Sequence, residues 1–269
     1  MAPTANAAYI VKGKTNESAL GLNPKSLMNY IKPGEERQSN LKFIYQDVSI
    51  VFVDEISMVG ANKLAKINYQ LQNLADGPMR KEFMAGLSFV ASGDLRQLPP
   101  IHDQLITEKS RIDARPQCAK SYWDDHFQIY YLTEKMRCKD DDMFAEMCDR
   151  IGQGHLKTED EEFLKSRVQS TPLEDHNDYF KTGKISIVVT TNRRREEINI
   201  DKLEKLLPNE KTYKCFSTDR VMNVSKAHDL PDNLPYTQTG QLPPQLHIKV
   251  GAPVVITTNH SNQCIKKTG

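Results

Sequence analysis

The sequence predicts an α/β fold built around a parallel β-sheet, and three features support this prediction. Residues 48–53 and 87–91 are short apolar runs, typical of strands that are covered on both faces of a sheet. Residues 61–74 lie between them, and their apolar side chains recur at helical spacing. The first run ends in two carboxylates, Asp54 and Glu55. Polar residues after buried strands are typical of doubly wound sheets, which bind ligands at the carboxyl ends of their strands.

Length and composition limit the classes of protein to consider. The chain of 269 residues is long enough for one large domain or two ordinary ones, and 38% hydrophobic with 26% charged residues is typical of a globular protein. No apolar run approaches the roughly 18–20 residues of a membrane span, and the first residues lack the apolar run of a signal peptide. We therefore expect an intracellular protein. With a net charge of +1, nucleic-acid binding would need local basic groups.

The pattern of strands and helices restarts after about residue 135, which predicts a second α/β unit. We expect the first unit to span residues 1–132, with a possible small inserted region at 22–45. The second unit is expected to span residues 133–269, with a loop-rich insertion at 208–245, where proline, asparagine and threonine are frequent. The remaining predicted elements are strands at 128–132, 185–190, 246–250 and 253–258, and helices at 141–151, 159–168 and around 198–206.

The acidic pair at the end of the first strand indicates a magnesium site. In nucleotide-hydrolysing folds an aspartate in this position lies at the metal, and a following glutamate orients or deprotonates the attacking water. Asp54 and Glu55 fit these two roles, and a divalent cation would offset the repulsion between them. The alternative is an acidic cap that begins the next helix.

A second polar segment, GDLRQLPP at residues 93–100, follows the second apolar strand. In a parallel sheet it would lie beside the end of the first strand. The amide of Gln97 offers a donor and an acceptor, so it can bond both a terminal phosphate oxygen and the attacking water. A simple Gly-Asp turn with a rigid exit would explain Gly93, Asp94 and Pro99, but not Gln97.

These two segments resemble motifs of a known family. DEISM followed by GDLRQLPPI is similar to motifs II and III of the Pif-type (petite integration frequency) DNA helicases, which are related to bacterial RecD within helicase superfamily one. YLTEKMR, residues 131–137, resembles the family's motif IV, Leu-Thr-Glu-x-x-Arg. Further similar segments, in the family's order, are residues 2–22 (motif Ia and the segment after it), 144–154, 188–199 and 242–259.

The resemblance implies a fold, an activity and a set of site residues. The fold would be the P-loop NTPase type, with two RecA-like lobes of parallel sheet and flanking helices. The activity would be ATP-dependent unwinding of DNA, with ATP and Mg²⁺ as cofactors. Glu55, Gln97 and Arg137 would be catalytic, and all three would contact ATP together with Asp54, the Mg²⁺ ligand. Arg137 would act as an arginine finger, the alternative being an ordinary surface arginine.

The expected partners are single-stranded DNA and DNA forks, with no membrane association. The residues that match motif Ia are Pro3 and Thr4, where a hydroxyl and backbone amides could hold a phosphate. Arg193 and Arg194, in a basic run that continues to Arg195, are a second candidate contact, although such runs are more often solvated helix faces. By resemblance the uses would be replication, repair, recombination, telomere maintenance or transposon mobilisation. Localisation would be nuclear, mitochondrial or both in a eukaryote.

The sequence departs from the family pattern in three places. The phosphate-binding loop G-x-x-G-x-G-K-[ST] does not occur, and the similarity stops before motifs V and VI. Glu17 stands where the family has a histidine in Thr-x-His-Ser, and a carboxylate there would repel DNA phosphate. We therefore expect a helicase fragment with an incomplete first lobe and no ATPase of its own. One alternative is a degenerate remnant that binds nucleic acid or a protein. Another is a nucleotide-hydrolysing switch or DNA-packaging ATPase, but that class of protein does not explain GDLRQLPP.

Overall fold

The computed structural model describes residues 1–24, 26, 29–112, 121–134, 136, 141–168, 186–216 and 245–254. Within these residues the helices are α1 (Ala5–Ile10), α2 (Asn16–Leu20), α3 (Glu35–Tyr45), α4 (Ala61–Leu74), α5 (Tyr122–His126), α6 (Asp142–Gln153), α7 (Thr158–Ser166) and α8 (Asn192–Leu206). The strands are β1 (Ile50–Val53), β2 (Ser88–Ala91), β3 (Tyr213–Phe216) and β4 (Gln245–Ile248). Short 3-10 helices span Ile56–Met58, Gly77–Lys81 and Phe83–Gly86.

Strands β1 and β2 pair in parallel, with Ile50 opposite Ser88 and Val53 opposite Ala91. The pairing continues past the strand ends, where the Ser92 amide donates to Val53 O at 2.9 Å. The predicted strands at 48–53 and 87–91 are confirmed, as is their parallel direction. Their carboxyl ends therefore lie side by side, as the sequence predicted.

Helix α4 covers one face of this sheet and is the centre of the core. It spans 61–74, the range that the apolar spacing predicts, and Leu64, Ile67 and Leu71 along it are at most 1% exposed. Each such side chain contributes about 1.5–3 kcal/mol when it is fully buried. The helix thus fixes the sheet whose strand ends carry the polar residues.

The expectation that β1 is covered on both faces is wrong for the described residues. Val51 and Val53 are buried on the side of the core, whereas Ile50 and Phe52 are 50% and 61% exposed. Successive side chains of a strand point to opposite faces, so one face is packed and the other is open in the described part of the chain.

Asp103 holds the amino end of α4. Its Oδ1 and Oδ2 accept from the backbone amides of Asn62 and Lys63 at 3.2 and 3.0 Å. Gly60 makes room for it, because a Cβ there would lie 2.2 Å from Asp103 Cγ. These bonds satisfy amides that have no partner within the helix. They also attach the segment that follows GDLRQLPP to the central helix.

Two predicted strands are not strands in the structure. Residues 128–132 and the described residues 186–190 have no strand partner within the described ranges, and Leu132 and Val188 are 97% and 95% exposed. A strand is stable only when a neighbouring strand pairs with its backbone groups, and an apolar run does not supply that neighbour.

Strands β3 and β4 form an antiparallel pair, with Tyr213 opposite Ile248. Strand β4 confirms the predicted strand at 246–250 within about two residues, but its partner lies in the predicted insertion at 208–245. Residues 253–254 are not a strand, and 255–258 lie outside the described residues.

The chain forms two compact units, Met1–Glu161 and Glu162–Gly269. The first contains α1 to α6, β1 and β2, and the region at 22–45 contributes α3 with its buried Leu41. In the second, the Lys249 Nζ joins β3–β4 to the end of α8 by donating to Leu207 O at 2.9 Å. The assignment of residues 1–132 and 133–269 to two RecA-like domains stays a prediction. Along the described ranges, no helix combines the length and apolarity needed to cross a membrane.

Arg150 and Asp160 join α6 to α7. The Nε and Nη2 of Arg150 donate to the two carboxylate oxygens of Asp160 at 2.8 and 2.7 Å, and Asp160 is 5% exposed. The hydrogen bonds from Arg150 and from the Lys157 amide lower the pKa of Asp160 from 3.8 to about 2.

This pair predicts a loss of stability in acid. Because the pKa of Asp160 is lowered in the folded state, the pair stabilises the fold above about pH 4, and its contribution disappears as the pH falls towards 2. Asp160→Asn should lower the melting temperature at pH 6 and flatten its dependence on pH between 4 and 2, about the window in which the carboxylate protonates. Glu159→Gln, a change of the exposed neighbour, is the control. Equal pH profiles for Asp160→Asn and the parent would contradict this role.

Candidate active site

The turn after β1 directs the acidic pair. Asp54 directly follows the last residue of β1, and its Oδ1 accepts from the Ser92 hydroxyl at 2.7 Å. Glu55 has left-handed backbone angles, φ 54° and ψ 48°, and the 3-10 helix Ile56–Met58 follows. A non-glycine residue in this conformation costs about 1–2 kcal/mol, so the surrounding contacts must stabilise it. The backbone therefore bends away from the direction of β1 at this acidic pair.

The main stabilising contact comes from the end of β2. The Ile56 amide donates to Ser92 O at 2.9 Å. Gly93 then passes so close that a Cβ on it would lie 2.8 Å from Ile56 N, and its φ is 155°. Only glycine allows this approach without a shift of the backbone. The ends of the two strands are therefore in direct backbone contact.

The segment after Gly93 forms a tight polar turn. The Gln97 amide donates to Asp94 O at 2.9 Å, and the Arg96 amide donates to Asp94 Oδ1 at 2.9 Å. The Arg96 guanidinium also bonds to both carboxylate oxygens of Asp94, at 3.2 and 3.3 Å. These hydrogen bonds from Arg96 lower the pKa of Asp94, so the turn is held by an ionised carboxylate.

The two turns face one open cleft of about 680 Å³. Glu55 and Gln97 both line it, together with Thr4, Ser57 and Arg96. The Ser57 hydroxyl is buried and has no hydrogen-bond partner among the described residues. Asp54 does not line this cleft, because its carboxylate is turned to Ser92.

The predicted catalytic residues are thus partly brought together. Glu55 and Gln97 share the cleft, and Asp54 lies at the strand end beside it. Arg137 lies outside the described residues, so its role as the arginine finger stays a prediction. The described residues contain no group of three His, Cys, Asp or Glu side chains that could hold a metal by themselves.

The predicted DNA contacts lie in both units. Thr4 caps α1, its Oγ1 accepting from the Ala7 amide at 3.3 Å, and it lines the cleft. Pro3 and Thr4 also border a smaller cleft of about 220 Å³. In the second unit, Arg193 and Arg194 lie in the first turn of α8, and each pairs with Glu197 at 3.1 Å.

Glu17 has a partner that the sequence did not indicate. Its carboxylate forms an ion pair with Lys63 in the first turn of α4. The lysine offsets the charge that was expected to repel a phosphate, so the exchange of histidine for glutamate leaves this point close to neutral.

Three other residues of the site were not predicted. Ser92 and Ser57 carry no sequence signal, because their roles follow from the contact between strand ends. Arg96 does carry a signal: it stands two residues after Asp94, the spacing at which a side chain can bond back across a turn.

The fold and the cleft define a class of protein. The structure resembles the crystal structure of Pif1 helicase from Candida albicans, with a TM-score of 0.59 and 23% identity over 93% of this chain and 52% of that chain. It resembles Bacteroides Pif1 bound to single-stranded DNA equally well, with a TM-score of 0.59 and 22% identity over 93% of this chain and 53% of that one. The protein therefore has the RecA-like, P-loop NTPase fold that the sequence predicted.

Sequence comparison identifies the family within that class. The model of the PIF1-like helicase family matches residues 1–162, and the chain belongs to this family. The ATP-dependent DNA helicase Pif1 of Campylobacter jejuni is 25% identical over 87% of this chain and 48% of its own length. The Candida albicans helicase PIF1 is 27% identical over 99% of this chain and 28% of its own length. The chain thus spans between about a quarter and a half of these relatives.

Gly93→Ala tests the contact between the strand ends. The added methyl group must displace Ile56, so we expect the free energy of unfolding to fall by about 1–3 kcal/mol, as for other strained backbone positions. Urea unfolding of the chain measures this change. Gly34→Ala, whose added Cβ meets nothing within 4 Å, is the matched control. Equal stability of the two variants would show that the strand ends are not in close contact.

Proposed function

We propose that the full-length protein to which these residues belong is an ATP-dependent DNA helicase. It couples ATP hydrolysis to movement along single-stranded DNA and to separation of the duplex. The observation that carries this proposal is the shared cleft of Glu55 and Gln97 at the ends of two neighbouring parallel strands. In RecA-like folds this edge of the sheet is where a nucleotide binds.

Glu55 is the proposed general base. Its left-handed backbone turns the side chain into the cleft, where it can orient a water molecule and accept its proton. Gln97, on the facing turn, is proposed to bond the same water and a terminal phosphate oxygen, since its amide has a donor and an acceptor. Arg137 is proposed to neutralise the charge that develops on the transferred phosphoryl group.

Asp54 is the proposed ligand of Mg²⁺. Magnesium is usually held by one or two carboxylates, with phosphate oxygens and waters completing the octahedron. A single carboxylate at a strand end fits this pattern. When bound, Mg²⁺ would supply positive charge that offsets the negative charge of the phosphates. The hydroxyl of Ser92 would fix the orientation of the Asp54 carboxylate.

Single-stranded DNA is the proposed second substrate. Thr4 borders the cleft, so a strand held by Pro3 and Thr4 would lie close to the site of hydrolysis. Arg193 and Arg194 stand where the helix dipole disfavours cations, and Arg193 has a side chain that is 91% exposed. Each arginine pairs with Glu197, which offsets part of this cost, and the exposed guanidinium groups are the proposed contacts to DNA phosphates.

The names of the relatives support this proposal. They are ATP-dependent DNA helicases from bacteria and yeasts, including RRM3 of Saccharomyces cerevisiae. We propose replication, repair, recombination or telomere maintenance as the setting. The place of action would be intracellular, and in a eukaryote the nucleus or mitochondria, because DNA is found there.

Glu55→Gln tests the proposed function. In the full-length protein we expect ATP turnover stimulated by single-stranded DNA to fall by about a hundredfold or more, because general-base catalysis contributes a factor of this size. DNA binding, measured by anisotropy of a labelled oligonucleotide, should stay within about twofold, since the proposed DNA contacts do not include Glu55. Glu36→Gln, an exposed change on α3, is the control. Normal ATP turnover by Glu55→Gln would refute the assignment of Glu55 as the general base. If the unmutated protein binds DNA but does not hydrolyse ATP, a non-catalytic binding protein would be favoured.

A further inference from the structure

The smaller cleft is bordered by a buried amide side chain that has no partner. Asn16 lines this cleft and is 1% exposed. Neither its Oδ1 nor its Nδ2 has a hydrogen-bond partner among the described residues. Burying an amide without partners destabilises a fold, so native proteins rarely leave one in this state. The position of Asn16 is explained if a ligand in the cleft supplies the missing hydrogen bonds.

The backbone of Asn16 is fixed against the segment that leads into the proposed DNA contacts. Its amide donates to Ala2 O at 2.9 Å, and the Ala2 amide donates to Lys14 O at 3.2 Å. Ala2 and Thr15 form an isolated parallel bridge, and Ala2 is fully buried. Asn16 is therefore held beside Pro3, which borders the same cleft.

The charges that border the smaller cleft offset one another. Glu17 forms an ion pair with Lys63, and the Asp103 carboxylate accepts from two amides of α4. Lys66 is 5% exposed, and its Nζ donates to Ser26 O. An anion in this cleft would meet two carboxylates as well as two ammonium groups that already have partners. The cleft therefore favours a neutral polar ligand over a phosphate.

The size and the walls of the smaller cleft fit a flat ring. Its volume of about 220 Å³ corresponds to about seven water molecules of the liquid, at roughly 30 Å³ each. Much of its wall is apolar and is formed by Pro3, Pro24, Met58, Pro100 and Ile101. Apolar walls with one convergent amide are typical of sites for planar groups with a polar edge. A nucleobase is a group of this kind.

A base can reach the smaller cleft from the proposed path of the DNA. Pro3 and Thr4, the proposed phosphate contacts, border this cleft together with Asn16. The Asn16 amide has a donor and an acceptor, which match a base edge that offers both. The Glu17 carboxylate has lone pairs beyond the one that Lys63 uses, and a carboxylate accepts from the amino group of cytosine. Thymine has no amino group.

We propose that the smaller cleft binds one base of the single-stranded DNA through Asn16, and that Glu17 makes this site prefer cytosine over thymine. The two hydrogens of the cytosine amino group would be shared between Asn16 Oδ1 and the Glu17 carboxylate, while Asn16 Nδ2 donates to the ring nitrogen beside it. The proposal rests on the DNA binding proposed above and adds a contact to a base. It also gives Glu17 a role, because a carboxylate suits an amino group and repels a phosphate.

The test scans a DNA strand for the base that enters the cleft. The full-length protein is titrated, at one salt concentration, against a labelled duplex with an oligo-dC tail of about 12 nucleotides, and the duplex fixes the register. One nucleotide of the tail at a time is made abasic, which removes the base and keeps the phosphate. We expect one position at which the abasic residue weakens binding about tenfold, and at which dT in place of dC weakens it about fivefold.

Asn16→Leu separates base binding from a structural role. Leucine is close to asparagine in size and removes the unpartnered amide, so stability in urea should stay equal or rise, whereas the abasic penalty should disappear. A purely structural asparagine would instead give lower stability when it is replaced. Asn40→Ala, a change of an exposed asparagine on α3, is the control and should alter neither quantity.

Glu17→His separates the choice of base from the binding of a base. This variant has the residue that the family has at this position, and it loses the carboxylate that accepts from the amino group. We expect the difference between dC and dT to fall to less than about twofold, whereas the abasic penalty persists because Asn16 still holds the base.

The outcomes distinguish this proposal from the function on which it rests. If no abasic position weakens binding, in a protein whose DNA-stimulated ATP turnover is abolished by Glu55→Gln, the base site is overturned and the helicase proposal stands. An abasic penalty that persists in Asn16→Leu, or that only follows a lower stability, also overturns the base site. If the unmutated protein binds no single-stranded DNA, the helicase proposal fails and the base site fails with it.

Discussion

The close approach of Gly93 to Ile56 is the contact on which the site depends. Two parallel strands bring their carboxyl ends together, but the register alone would leave the following turns free to diverge. The bond from the Ile56 amide to Ser92 O and the missing side chain at Gly93 hold the two turns against each other. Glu55 then accepts a strained left-handed backbone, which directs its carboxylate to the cleft that Gln97 borders.

Helix α4 makes this arrangement rigid. Its apolar stripe fills the core beneath β1 and β2, and its amino end is held by Asp103 from the segment that follows the second turn. A movement of that segment would leave amides of α4 without partners, which is costly in the interior. The same helix also carries Lys63, which pairs with Glu17. Both residues border the smaller cleft, next to Thr4.

Much of this organisation could be predicted from the sequence. The range of α4 followed from its apolar spacing, and β1 and β2 followed from their apolar runs, because both signals report burial against one core. Glu55 and Gln97 were placed at one edge by a topological argument, since parallel neighbours end on the same side. The resemblance of DEISM and GDLRQLPPI to two helicase motifs led to the family that the comparisons establish.

The remaining features depend on contacts between distant residues. The apolar runs at 128–132 and 186–190 have the composition of strands, but pairing partners decide whether a strand forms, and composition carries no information on them. Three further features depend on such contacts and could not be predicted either. They are the cover of β1 on one face only, the pairing of β4 with β3, and the ion pair of Glu17 with Lys63.

The most direct measurement is a crystal structure of the full-length protein with Mg²⁺, a transition-state analogue of ATP hydrolysis and single-stranded DNA. We expect Glu55 and Gln97 to lie within hydrogen-bonding distance of the same terminal phosphate or its attacking water, with Asp54 on the side of the metal. A nucleotide bound elsewhere, with the cleft between the two turns open to solvent, would contradict it.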